Sequence, residues 1–187
     1  MDRPYDDFQY ISTLTKEFFS RRTFRAALNV IRDYEISGWE IWFQVEFARF
    51  LAEHEDQPEW QREARFEFDY RRERYSSFLK PDFIIRKKGT ALDRYIALEI
   101  KQHVQIGNCL TNMVSDLSKV SRIRRSAIDL RSYWALGIFR ADDDDDIEGA
   151  IENKLIEYDL PIHWGLMTHG KIGKTGFSYA LMSGIAF

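Results

Sequence analysis

The sequence predicts a mixed α/β (α+β) chain whose core elements run α-β-β-β-α-β, and three patterns predict it. Residues 39–52, WEIWFQVEFARFLA, carry aromatic side chains at helical spacing. Residues 63–71 alternate apolar and charged side chains, and two short apolar runs, 82–87 and 94–101, flank a polar connection at 88–93. A helical pattern over 104–126 then separates these strands from the apolar run YWALGIF at 133–139. A strand-helix-strand order implies a right-handed crossover, which sets 133–139 parallel to 94–101. The expected architecture is a mixed central sheet flanked by helices, with extra N-terminal helices and C-terminal strands.

Residues 1–36 read as an N-terminal helical extension, because Phe8, Ile11, Leu14, Phe18 and Phe19, then Phe24, Ala27, Leu28 and Ile31, recur at helical spacing. Arg21, Arg22 and Arg25 are expected on its solvated face. The core follows at 37–140. With Trp39 of its first helix set at 0°, Phe50 falls at about 20°, Phe43 at about 40° and Glu46 at about 340°. Glu46 therefore lies in the aromatic stripe, where a carboxylate needs a partner; Arg49, three residues on, is the ordinary one. Glu40 and Gln44 fall to one side. In the strand over 63–71, Ala64, Phe66, Phe68 and Tyr70 share a face, and Glu67 and Asp69 on the other are expected to pair with basic neighbours. Residues 141–187 hold a helix at 147–158, entered through Asp142 to Asp146 as capping and dipole-matching residues. Two strands follow, at 160–168 and 177–182. The loop between them, HGKIGKTG, lacks the spacing of a phosphate-binding P-loop and reads as a hairpin turn. No linker or repeat divides the chain, so 1–187 is expected to be one domain.

The 187 residues are 44% hydrophobic and 15% aromatic, enough for a sizeable core. No apolar run approaches the ~20 residues that cross a bilayer, and the start, MDRPYDDFQY, lacks the layout of a signal peptide, so a cytoplasmic protein without membrane contact is expected. One cysteine, Cys109, allows no internal disulfide and reads as a packing residue, and the four histidines lack zinc-ligand spacing. The net charge of −3 would become +2 without the five aspartates at 142–146, and the basic residues are clustered. Location matters more than the total for binding a polyanion.

The chemistry concentrates in KPDFIIRKKGTALDRYIALEIKQH, residues 80–103. A hairpin pairing 87 with 94 also pairs Asp82 with Glu99, whose Cβ atoms would then lie roughly 4.5–5.5 Å apart. Like charges opposed in this way destabilise unless something neutralises them, and a divalent cation does so. Lys101 projects on the same face as Glu99, and Ile100 on the other. Two carboxylates and an ammonium on one patch suit metal-assisted phosphodiester hydrolysis.

These residues resemble the PD-(D/E)xK nuclease superfamily, the restriction-endonuclease-like fold: Pro81-Asp82 matches the first half of its motif and Glu99-Ile100-Lys101 the second. The resemblance covers about residues 36–140. It implies Asp82 and Glu99 as metal ligands, the Ile100 carbonyl as a helper, Lys101 as the catalytic lysine, and Glu46, on the preceding helix, as a ligand or water-positioning group. Glu40 is the weaker candidate for that last role. The implied cofactor is Mg²⁺, with Mn²⁺ as substitute, and the implied partner is nucleic acid, DNA by expectation. Phosphate contacts are expected from Arg71, Arg72, Arg74, Arg86, Lys87, Lys88, Lys119 and Arg122, with His103 beside the site; Arg124 and Arg125 extend the last cluster. A homodimer or a protein partner is compatible with this reading. The rival reading is a non-catalytic binding or adaptor module on the same fold.

Overall fold

The central strand β5 (Ile96–Gln105) organises the chain. Its apolar stretch alternates between two faces, so helices cover it on both sides. The computed structural model describes residues 3–67, 78–91, 95–121, 130–142 and 144–185. Before β5 come α1 (Arg3–Ser20), α2 (Arg22–Asp33), α3 (Glu40–Glu53), β1 (Glu59–Arg62), β2 (Phe66–Glu67), β3 (Phe78–Leu79) and β4 (Phe83–Arg86). After it come α4 (Ile106–Ser121), β6 (Ser132–Arg140), α5 (Ile147–Glu157), β7 (Met167–Lys171) and β8 (Phe177–Ile185). Among the described residues these five helices flank a six-stranded mixed sheet of order β1-β4-β5-β6-β8-β7, while β2 and β3 pair separately.

Ile96, Leu98 and Ile100 of β5 face one way and join Phe18, Phe24, Phe43 and Phe47 from α1, α2 and α3. Ala97 faces the other way, with Leu110, Met113 and Leu117 of α4 and Ile151 and Leu155 of α5. α4 is the crossover between β5 and β6, which pair in parallel from Ile96 with Ser132 to Gln102 with Ile138. α4 approaches the sheet closely at Gly137: a Cβ there would overlap the Met113 sulfur and lie 2.9 Å from Cys109 Sγ. Gly137→Ala is therefore expected to cost about 1–3 kcal/mol through overpacking. Chemical denaturation checks this, and a change below about 0.5 kcal/mol would contradict the close approach.

The β4–β5 hairpin has the expected register, Phe83 opposite Leu98 and Ile85 opposite Ile96. Several expected boundaries move. The strand beside β4 is 59–62 rather than 63–71. The later residues leave that ladder, and Phe66 and Glu67 pair instead with Leu79 and Phe78; Phe68, Asp69 and Tyr70 lie outside the described residues. β5 runs to Gln105, four residues beyond Lys101, so α4 starts later than the helical spacing suggests. The C-terminal strand expected at 160–168 begins at Met167, after a 3-10 turn at Trp164–Leu166. Asp146 caps α5, accepting from Gly149 N at 2.9 Å. No helix among the described residues is long and apolar enough to cross a membrane.

Candidate active site

Pro81 ends the approach to β4, and the hairpin register sets Asp82 level with Glu99. β4 stops at Phe83 while β5 continues, so the backbone of Ile100 meets side chains there instead of a strand. Its N–H donates to Asp82 Oδ2 at 2.7 Å. The other oxygen, Oδ1, accepts from Gln44 Nε2 of α3 at 2.8 Å. Arg62 in turn donates to Gln44 Oε1 at 2.5 Å, which fixes which end of the amide faces Asp82, since a guanidinium can only donate. One turn before Gln44 on α3, Glu40 accepts from Gln102 N at 3.2 Å.

On the α4 side of β5, Lys101 Nζ lies 2.7 Å from Glu99 Oε1 and 2.8 Å from Asp116 Oδ2. Tyr133 of β6 donates its hydroxyl to the other Glu99 oxygen at 3.2 Å. Lys119 closes the chain of contacts, 2.6 Å from Asp116 Oδ1. The side chains of Lys101, Glu99 and Asp116 are 18%, 13% and 19% exposed, whereas Lys119 is 71% exposed. The charge network thus runs from surface to interior.

Burial dominates the electrostatics. It pushes the Asp82 carboxyl up to about 7, helped by the charge of Glu99 and opposed by the Ile100 N–H and by Lys101. Burial also raises Glu99, against the pull of Lys101. For Lys101 burial acts against the charge, but Glu99 and Asp116 outweigh it, and the ammonium is held more firmly protonated than an ordinary lysine. Burial likewise acts to raise Asp116, and its two lysines reverse the sign. The Tyr133 phenol is raised by burial and by Glu99 and stays a donor. Cys109, buried beneath β5 and β6, has its thiol pushed up to about 12 by burial, which makes it inert packing.

Asp82 and Glu99 form a half-buried carboxylate pair, and Lys101, which bonds Glu99, also answers to Asp116. The N–H and C=O of one strand residue point to the same side, so the Ile100 carbonyl faces Asp82 beyond the end of β4. Two carboxylates and a carbonyl suit a hard divalent ion that keeps waters in its remaining positions. Among the described residues no three His, Cys, Asp or Glu side chains converge on a metal position, so the fit rests on these three oxygen donors.

Glu46 is not part of this group, a correction to the sequence expectation. Its carboxylate is 2.6 Å from Arg49, and it lies about 200° around α3 from Gln44. Trp39 and Trp42 drew the apparent stripe toward Glu46, yet the buried arc holds Phe43, Gln44, Phe47, Phe50 and Leu51, centred on the other side. Arg86 is also corrected as a nucleic-acid contact: it is 8% exposed and engaged by Glu59, by the Thr90 carbonyl at 2.7 Å and by the Tyr95 ring. Lys87 and Lys88 are exposed, but they sit at the far end of β4, roughly 17 Å along the strand from Asp82. There Lys87 lies over the Tyr10 ring and Lys88 bonds Gln57. His103 stays on the strand of Glu99 and Lys101, its Nδ1 accepting from Gln105 N at 3.0 Å. Lys119 is joined to the site. Arg71, Arg72, Arg74, Arg122, Arg124 and Arg125 lie outside the described residues.

Gln44, Arg62, Asp116 and Tyr133 are members that sequence reasoning missed. Asp116 had a signal: on α4 it falls about 20° from Cys109 and about 40° from Val120, inside the apolar stripe. Comparison of the chain with family models, with curated proteins and with solved structures finds no match.

Proposed function

We propose that the chain is a metal-dependent phosphodiesterase, a nuclease acting on DNA, built on a restriction-endonuclease-like core. The observation that carries this reading is the level pairing of two half-buried carboxylates, Asp82 and Glu99, with Lys101 on the face of Glu99 at the open end of the β4–β5 ladder. Asp82, Glu99 and the Ile100 carbonyl would hold Mg²⁺ or Mn²⁺, which when bound supplies charge neutralisation for a phosphate and acidifies water.

The chain's own groups do the rest. Gln44 and the Ile100 N–H each occupy one oxygen of Asp82 and fix its plane. Tyr133 fixes Glu99 in the same way. Lys101 is too firmly protonated to take a proton from water; its ammonium donates hydrogen bonds to oxygen atoms on which negative charge develops. Lys119, exposed beside it, would meet a backbone phosphate, which orients the substrate without reading sequence.

A second reading, a binding module without activity, draws on the internal engagement of Lys101 by Asp116 as well as Glu99. Plasmid and single-stranded DNA incubated with Mg²⁺ or Mn²⁺, and with EDTA, decide between them. The nuclease is expected to cut only with metal and to lose cutting in Asp82→Ala. Folded wild-type protein that cuts neither substrate would leave the binding module.

A further inference from the structure

Lys101 has two carboxylate partners, and they are not equivalent. Glu99 shares its Oε1 with Lys101 at 2.7 Å and is, on the reading above, a metal ligand. Once an ion draws that oxygen, the hold of Glu99 on the ammonium weakens. Asp116 Oδ2, at 2.8 Å, has no such competing duty. Its other oxygen is taken by Lys119 at 2.6 Å, so both oxygens of the carboxylate are fixed. α4 presents it rigidly: Met113 and Leu117, on either side in sequence, are fully buried against the sheet, and Gly137, which lets α4 approach, is the parallel partner of Lys101 itself.

We infer that Asp116 is a positioning residue, which holds the Lys101 ammonium in place when Glu99 engages a metal ion and ties it to Lys119, the exposed cation that meets the substrate backbone. The inference rests on the nuclease reading for its consequence, though not for its geometry. Both lysines bond one carboxylate, with Lys101 at the reacting centre and Lys119 toward solvent. In Asp116→Asn the amide keeps the shape but puts an N–H₂ against one of two ammonium donors and removes the charge that attracts both. Lys101 then loses its fixed place. Misplacing a reacting group by about 1 Å costs as much as 10²-fold in rate.

The experiment compares wild type, Asp116→Asn and Asp116→Glu in two readouts, after melting curves show that each is folded. The first is the single-turnover rate of DNA cleavage at saturating DNA with Mg²⁺, beside the Kd for DNA measured in Ca²⁺. The expected result is a rate about 10- to 100-fold lower in Asp116→Asn with Kd equal or tighter, and partial recovery in Asp116→Glu. The second is the ¹⁵N NMR signal of the Lys101 ammonium, assigned by its loss in Lys101→Met. It is expected to be protected from exchange with water in the wild type and to broaden away in Asp116→Asn. An active wild type beside an Asp116→Asn rate within threefold of it, or an unchanged ammonium signal, overturns the inference. If Asp116→Asn does not fold, Asp116→Ser carries the test, and a rate in that variant within threefold of wild type overturns it. A folded wild type without cleavage brings down the nuclease reading instead, and the ammonium signal then decides the part of Asp116 by itself.

Discussion

Lys101→Met is expected to lower the single-turnover rate of metal-dependent cleavage by about 10²–10³-fold, the usual effect of deleting one preorganised donor aimed at developing charge. Methionine keeps most of the aliphatic stem and removes the ammonium. Glu99 and Asp116 are then left facing each other without the cation between them. Breaking a fully buried pair costs about 3–5 kcal/mol; with these groups 13–19% exposed, about 1–3 kcal/mol of stability is expected to go as well. The two losses separate under saturating metal. On the proposed function, bound Mg²⁺ would restore charge balance near Glu99 and recover stability without replacing the donor. Lys101→Arg is not expected to rescue the rate, because a planar guanidinium does not fit a position built for a compact charge between two carboxylates. Quench-flow cleavage and melting curves on the same preparations check both, and a Lys101→Met rate within tenfold of wild type would remove the lysine from the chemistry.

The second large effect is a stability that falls as pH rises, in metal-free protein. The Asp82 carboxyl titrates at about 7 in the fold, raised first by burial and then by Glu99, against about 3.9 in an unfolded chain. The folded state therefore binds this proton more tightly than the unfolded state. The stability it contributes is fully present below about pH 4 and is lost as pH rises through about 7. Glu99, raised in the same direction, adds to the trend. The span for Asp82 alone is at most about 4 kcal/mol, or on the order of 10 °C in Tm for a chain of this size. Asp116, lowered by its lysines, contributes with the opposite sign at lower pH. The difference between wild type and Asp82→Ala isolates the wanted part. On the proposed function, Mg²⁺ would compete with the proton for the same oxygens. It is expected to stabilise the fold near pH 8, by about 2.7 kcal/mol at a concentration of 100 Kd, with a corresponding rise in Tm, and to do little near pH 5. A metal effect equal at both values would place the ion elsewhere.

The site was legible where the sequence specifies backbone register and illegible where it depends on how elements pack. The length of the polar connection predicts the register that pairs Phe83 with Leu98, and that register carries Asp82 opposite Glu99 without further information. β5 and β6 were legible because a helix between strands dictates parallel crossover pairing. Glu46 misled because Trp39 and Trp42 enlarge the apparent apolar stripe of α3, while the sheet covers the arc of Gln44 and Phe47 instead. A large aromatic residue at the rim of a buried face weighs as much in a helical projection as one at its centre. Gln44 and Glu40, four residues apart on one face of α3, were the better sign of a face that meets something polar, and Glu40 was ranked below Glu46. Arg86 misled for a related reason: a basic triplet in sequence says nothing of which member turns inward, and Glu59 on the neighbouring strand takes that one. Tyr133 was hidden within an apolar run, since only tertiary contact gives its hydroxyl the Glu99 oxygen it needs.

The measurement that tests the proposed metal-holding pair most directly is a calorimetric titration of Mn²⁺ into the folded, metal-free protein near pH 8 and near pH 5, with Asp82→Ala beside it. One site is expected near pH 8, weakened near pH 5 as protons take the carboxylates and absent from the variant. Wild-type protein that binds no ion at either pH, or a variant that binds as the wild type does, would contradict Asp82 and Glu99 as the centre of the site.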